Sequence, residues 1–212
     1  MMRMMGGLML AAAIILNLAC HQNARTARST LAAERTTPIE SPVVKRVVEG
    51  AVEQAQYTIS YDPSYVSLDY PGGDVPLERG VCSDVIVRAF RKAEVDLQKE
   101  VHEDMSRSFN AYPKRWGLTK PDANIDHRRV ANLMTYFERQ GKQLATSTRA
   151  KDYLPGDVVA WELSEGVLHI GIVTNILSEA TSGYQIVHNI GGGARIEDAL
   201  FSWKIIGHYR YF

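Results

Sequence analysis

Gly80-Val81-Cys82-Ser83-Asp84 stands where a Gly/Pro-rich approach, Pro71-Gly72-Gly73-Asp74, gives way to apolar residues at helical spacing: Val85, Ile86, Ala89, Phe90 and Ala93. This spacing predicts a buried helix running to about Ala93 with a thiol on its first turn. Unpaired N–H groups and the positive end of the helix dipole favour a thiolate there, so the thiol pKa is expected to fall from about 8.5 toward neutrality. The competing reading is a small buried hydrophobe, a role unpaired cysteine often fills.

Upstream, Ser41-Pro42 supplies an N-cap and a proline at the first helical position, ahead of a stripe of Val43, Val44, Val47, Val48, Ala51, Val52 and Ala55. Residues 57–70 read as loop or short strand, with tyrosines that suit either a cleft wall or the lid of a small core. Downstream, Val101-His102-Glu103-Asp104-Met105 opens a short helix that ends before Tyr112-Pro113. Asp126 is positioned to cap a further helix with Val130, Leu133, Met134 and Phe137 on one face, stopped by Gly141.

The period changes after the turn Pro155-Gly156-Asp157. Strands are expected over 158–163, 167–174 and 184–190. Gly191-Gly192-Gly193 is expected to break the sheet, with a short helix over 197–201 and a last strand over 205–212. Helices followed by an antiparallel meander give an α+β fold.

Residues 1–19, with Arg3 ahead of an apolar run, read as a secretory signal, and Leu18-Ala19-Cys20 resembles a bacterial lipobox that leaves Cys20 lipidated. His21 after that cysteine points by analogy to the outer membrane, and plain secretion is the alternative. A polar stretch over 20–40 reads as a flexible tether, and 41–212 suffices for one domain with a real core. The expected location is therefore the bacterial periplasm, with a membrane partner through the lipid anchor.

Lys and Arg total 24 against 24 Asp and Glu, with no basic block, which argues against a nucleic-acid partner. With Cys20 lipidated, Cys82 is left a lone thiol in an oxidising compartment; a Cys20–Cys82 disulfide is the alternative.

His169 falls in the second strand, where alternation puts it on one face with Val167, Gly171 and Val173. Gly171 leaves a gap into which the Cys82 helix is expected to press, bringing imidazole to thiol. On the next strand His188 shares a face with Tyr184 and Ile186, while Asn189 points the other way. Pairing of the two strands then lets His188 hold the His169 ring, as the third member of a triad does.

Gly80-Val81-Cys82, Pro155-Gly156-Asp157-Val158-Val159, His169-Ile170-Gly171-Ile172-Val173 and His188 together resemble the NlpC-like papain-fold cell-wall peptidases. A closer and more specific resemblance, from about Tyr57 to the C-terminus, is to a bacterial domain-of-unknown-function family, the YijF-like group of the same clan. Tyr61-Asp62-Pro63-Ser64-Tyr65, Pro71-Gly72-Gly73-Asp74, Val101-His102-Glu103-Asp104-Met105, Asn124-Ile125-Asp126-His127-Arg128-Arg129 and Gly207-His208-Tyr209-Arg210 carry it. The resemblance implies a Cys82 nucleophile, a His169 base and an orienting His188 in a papain-like fold without cofactor. NlpC-like enzymes usually have Asp before the nucleophile and Ser-Gly after it, whereas Val81 and Ser83-Asp84 stand here.

The resulting expectation is a cell-envelope amidase or endopeptidase acting on peptidoglycan peptides. Tyr65, Asp84, Asp126 and Arg128 are candidate substrate-binding residues, with arginine suited to bidentate carboxylate contact. Asp104, Asp126 and Arg128 also suit a structural ion-pair cluster, and Asp84 suits simple complementing of the helix dipole. A metal hydrolase using His102, Glu103, Asp104, Asp126, His127, His169 and His188 finds no zinc spacing, since His102-Glu103 lacks a second His four positions on. A murein-binding scaffold without catalysis and a cysteine acyltransferase or thioesterase remain the alternatives.

Overall fold

The computed structural model describes residues 35–212, so the expected signal, Cys20 and most of the tether lie outside the described residues. Ser41 opens helix α1 (Pro42–Glu53) as its side chain accepts the Val44 N–H at 3.4 Å, and Val47, Val48 and Ala51 turn inward. A two-residue strand, β1 (Ser60–Tyr61), pairs in parallel with β2 (Arg79–Gly80), which delivers the chain to α2 (Cys82–Arg91).

Helix α3 (Leu97–Ser108) begins four residues earlier than the spacing predicts. Asp96 caps it by accepting the Gln98 N–H at 3.2 Å, a stronger start signal than the downstream polar cluster. Asp126 does not cap the next helix. It heads a 3₁₀ turn (Asp126–Arg128), and α4 (Val130–Arg139) starts beyond it and ends at Gly141, whose φ of 66° suits a residue without Cβ.

The second half forms strands β3 (Val158–Glu162), β4 (Leu168–Leu177), β5 (Tyr184–Asn189), β6 (Ala194–Glu197) and β7 (Lys204–Tyr209). They make one antiparallel sheet in the order β6-β5-β4-β3-β7, which completes the α+β architecture expected. The glycine run does not break this sheet. Gly191 and Gly193, at φ 144° and 91°, turn the chain back as a hairpin into β6, and the helix expected over 197–201 is absent: Glu197 ends β6 and a turn follows it.

Each face of the sheet buries its own core. Ile170, Ile172, Val187, Val158 and Ala160 meet Val85, Ile86, Ala89 and Phe90 of α2 with Val47 and Ala51 of α1. Val159, Trp161, Val173 and Ile186 line the opposite face under Ala150, Tyr153, Ala199 and Leu200. Full burial of side chains such as Ile86 and Phe90 stabilises by roughly 1.5–3 kcal/mol each, which fixes the start of α2 against the middle of β4. Among the described residues no helix is long and apolar enough to cross a membrane.

Candidate active site

Cys82 is the first residue of α2, and the turn before it is closed by a side chain: Asp84 Oδ2 accepts the Val81 N–H at 2.7 Å. The thiol is free and buried. Its N–H neighbours at the helix start, together with the Ile170 N–H directed at it from β4, favour the thiolate. Burial outweighs them and, with Asp84 close by, pushes the thiol up to about 12, so the expected fall toward neutrality is overturned. The dipole favours the anion at a helix start only as far as solvent is there to share the work.

The Ile170 amide is available because the sheet opens at this point. Odd-numbered β4 residues bond to β3, as in Val173 N–H to Asp157 O at 2.9 Å, so even-numbered amides face β5. The β4–β5 pairing runs through Ile172↔Val187 and is not continued to Ile170.

His169, next in the chain to Ile170, turns its ring to the other face, where it stacks on Trp161 at 5.7 Å between centroids and meets Trp203 edge-on. The packing expected around Gly171 is therefore reversed. Helix α2 lies on the Ile170 and Ile172 side, where apolar area is available, and the gap at Gly171 is filled by β5: a Cβ there would lie 2.7 Å from Ile186 Cγ2 and 2.9 Å from Val187 O.

The strands do bring the two histidines together. His169 Nε2 and His188 Nδ1 are 2.7 Å apart, and His188 Nε2 lies 3.0 Å from Glu197 Oε2 on β6. Burial lowers both histidines, His169 to about 3, while Glu197 opposes the shift of His188. Among the described residues no hydrogen bond joins Cys82 to His169, and His169 Nδ1 carries none. Asn189 takes the helix side, donating to Gly80 O at 3.0 Å and Ser60 O at 3.2 Å, and so ties β5 to the loop that ends at the thiol.

Cys82 forms part of the floor of an open cleft of about 550 Å³ walled by Tyr61, Tyr65, Trp116, Arg129 and Leu168. Tyr65 donates to Asp122 Oδ2 at 3.0 Å and accepts from Asn124 at 2.8 Å, which holds its ring at the rim. Asp84 and Arg128 also border the thiol, but they face each other in a closed ion pair, and Arg128 spends further N–H groups on Ser64 O and Asp62 O. Asp126 is fully buried below the cleft, where desolvation raises it to about 6.

All four candidate substrate residues are thus engaged within the protein, and Arg129 at the wall lies 3.8 Å from Asp126 Oδ1 with its guanidinium 4.4 Å from the Trp116 ring centroid. Alternation places Asn189 on the face opposite His188, as found, but its bonds to Gly80 and Ser60 and the role of Glu197 were not read from the sequence. The alternation of Arg195 and Glu197 after the glycine turn is the signal that carries Glu197: His188↔Arg195 and Ile186↔Glu197 set it diagonal to His188. Among the described residues no group of three or more His, Cys, Asp or Glu is arranged to hold a metal ion.

Comparison with known proteins adds a relationship of sequence. Residues 48–211 match the family described as a domain of unknown function, DUF1287. The uncharacterized protein YijF of Escherichia coli strain K12 is 54% identical over 166 residues, which cover 78% of this chain and 80% of YijF. A solved Staphylococcus aureus (subsp. aureus Mu50) structure, described as similar to a lipoprotein of the NLP/P60 family, aligns over 82% of this chain with 14% identity and a TM-score of 0.40; the alignment spans 43% of that protein. With its family match running through the thiol, both histidines and Glu197, the chain belongs to the DUF1287 family.

Proposed function

We propose that the protein is a cysteine hydrolase of the cell envelope, an amidase or endopeptidase acting on peptidoglycan peptides, with Cys82 as nucleophile, His169 as base and His188 orienting His169. The observation that carries this reading is the chain of ring nitrogens ending at His169, whose one unbonded nitrogen belongs to the residue next to the amide directed at the Cys82 sulfur. The signal-like segment 1–19, the lipobox-like Cys20 and the NlpC-like motifs support the compartment and the substrate class.

The raised thiol and lowered imidazole make the resting pair neutral, so proton transfer accompanies attack. In this reading the His169 ring, which rests on the Trp161 side of β4, comes within reach of the thiol in the substrate complex. The S–H proton then passes to Nδ1 as Sγ bonds to the amide carbonyl carbon, and amides at the α2 start receive the oxyanion. His169 then gives the proton to the departing amine as the C–N bond breaks, leaving a thioester. Water adds to the thioester, losing a proton to Nδ1, and that proton returns to sulfur as the acid leaves.

A non-catalytic murein-binding domain is the second reading. The burial that raises Cys82 to about 12 favours it. Incubation of a Cys20→Ser protein with muropeptides, followed by mass spectrometry, separates the two. Cleavage abolished by Cys82→Ala and by His169→Ala supports the hydrolase; binding without any cleavage, unchanged by either substitution, sinks it.

A further inference from the structure

We propose that Glu197 is a positioning residue that fixes the tautomers of both histidines, so that the one unprotonated ring nitrogen left over is Nδ1 of His169. The inference rests on the hydrolase reading for its purpose, but not for its geometry.

An ionised carboxylate accepts hydrogen bonds and donates none. Glu197 Oε2, 3.0 Å from His188 Nε2, therefore requires the proton of His188 to sit on Nε2. A neutral imidazole then has an acceptor at Nδ1. That acceptor is 2.7 Å from His169 Nε2, so His169 in turn carries its proton on Nε2. One lone pair remains over, on His169 Nδ1, the nitrogen without a partner among the described residues. A carboxylate two rings away thus decides which nitrogen can act as base.

The alternative states are disfavoured by the surroundings. A doubly protonated His188 would reverse the chain, but both rings are buried among Trp161 and Trp203, where a charged imidazole is poorly solvated. A reversed neutral chain would leave a protonated nitrogen of His188 aimed away from Glu197 and a lone pair facing a carboxylate. The reversed neutral chain also requires that the 3.0 Å bond be lost.

Glu197 belongs to an edge strand, its side chain 42% exposed, so its replacement leaves the core intact. Glu197→Gln keeps the shape and adds an amide N–H₂ that can donate to His188 Nε2, permitting the reversed chain. Glu197→Asp keeps a carboxylate.

The test is long-range ¹H–¹⁵N correlation of the imidazole rings in the full, ¹⁵N-labelled Cys20→Ser protein, with muropeptide turnover measured beside it. In the parent protein both rings are expected in the Nε2–H form. Glu197→Gln is expected to bring an Nδ1–H population to both rings and to lower turnover roughly 10- to 100-fold, with Glu197→Asp retaining the parent tautomers. An Nδ1–H form in the parent, or ring spectra unaffected by Glu197→Gln, overturns the proposal. Because the spectra make no reference to Cys82, a failure of the hydrolase reading leaves the tautomer result standing and shows itself separately, in the Cys82→Ala comparison.

Discussion

Arg128 grips Asp84 with two parallel bonds, Nε to Oδ1 at 2.9 Å and Nη2 to Oδ2 at 3.0 Å, and the two side chains are only 2% and 3% exposed. Asp84 in turn closes the turn before Cys82, and Arg128 reaches the carbonyls of Asp62 and Ser64. Arg128→Ala strands a buried carboxylate, which is expected to cost about 3–5 kcal/mol. A urea midpoint shift of that size, with faster proteolysis in the loop around Asp62, is the expected result; a loss under 1 kcal/mol removes the pair from any role in holding the thiol loop.

Gly171→Ala is expected to destabilise by about 1–3 kcal/mol through overpacking. The added methyl meets Ile186 Cγ2 at 2.7 Å and Val187 O at 2.9 Å, and His188 Cβ at 3.2 Å. Because backbone and His188 give way together, the His169 to His188 bond lengthens, and a change in the imidazole ¹⁵N shifts is expected to accompany the lower melting temperature.

Asp126 and His127 are neighbours whose titrations act on stability in opposite senses. Burial raises Asp126 to about 6, near Asp122, His102 and Arg129, against about 3.9 when unfolded. Its share of stability is full below about pH 4 and is lost as pH rises to about 6. Burial lowers His127 to about 3, so its share is full above about pH 6.5 and is lost as pH falls toward 3. Asp126→Asn is therefore expected to stabilise at about pH 8 and to have little effect at about pH 4, read as the difference between urea midpoints at the two pH values.

Cys82, raised to about 12 by burial, is expected to alkylate slowly at neutral pH, with a rate that climbs through pH 10 without an inflection between about 6 and 9. Chloroacetamide labelling followed by mass spectrometry on the Cys20→Ser protein reads this directly. A plateau reached near pH 7 contradicts it and restores the dipole-stabilised thiolate expected from the helix start alone.

Much of this arrangement is legible from particular residues. Ser41-Pro42 announces α1, the spacing from Val85 to Phe90 announces α2, and alternation puts His169 and His188 where paired strands join them. What alternation does not tell is which face the helices cover. Ile170 and Ile172 offer more apolar area than the His169 and Gly171 face, and that decides it. The glycine run hides β6 because a triple glycine reads as a break while two positive φ values make it a turn. The Cys82 pKa is hidden for another reason: the dipole is local to the sequence, whereas the desolvation that overrides it comes from burial in a core assembled from several distant elements.

Beyond Ile172 and Val187 the sheet lacks a rung, and the Ile170 N–H that would have made it is directed at sulfur. A single backbone proton there is a spectator of the thiol. Its exchange with deuterium, followed by NMR, changes when the sulfur is alkylated or acylated, and it does so whatever molecule supplies the acyl group. The gap in the ladder turns one peptide amide into a built-in reporter on Cys82 that needs no knowledge of the substrate.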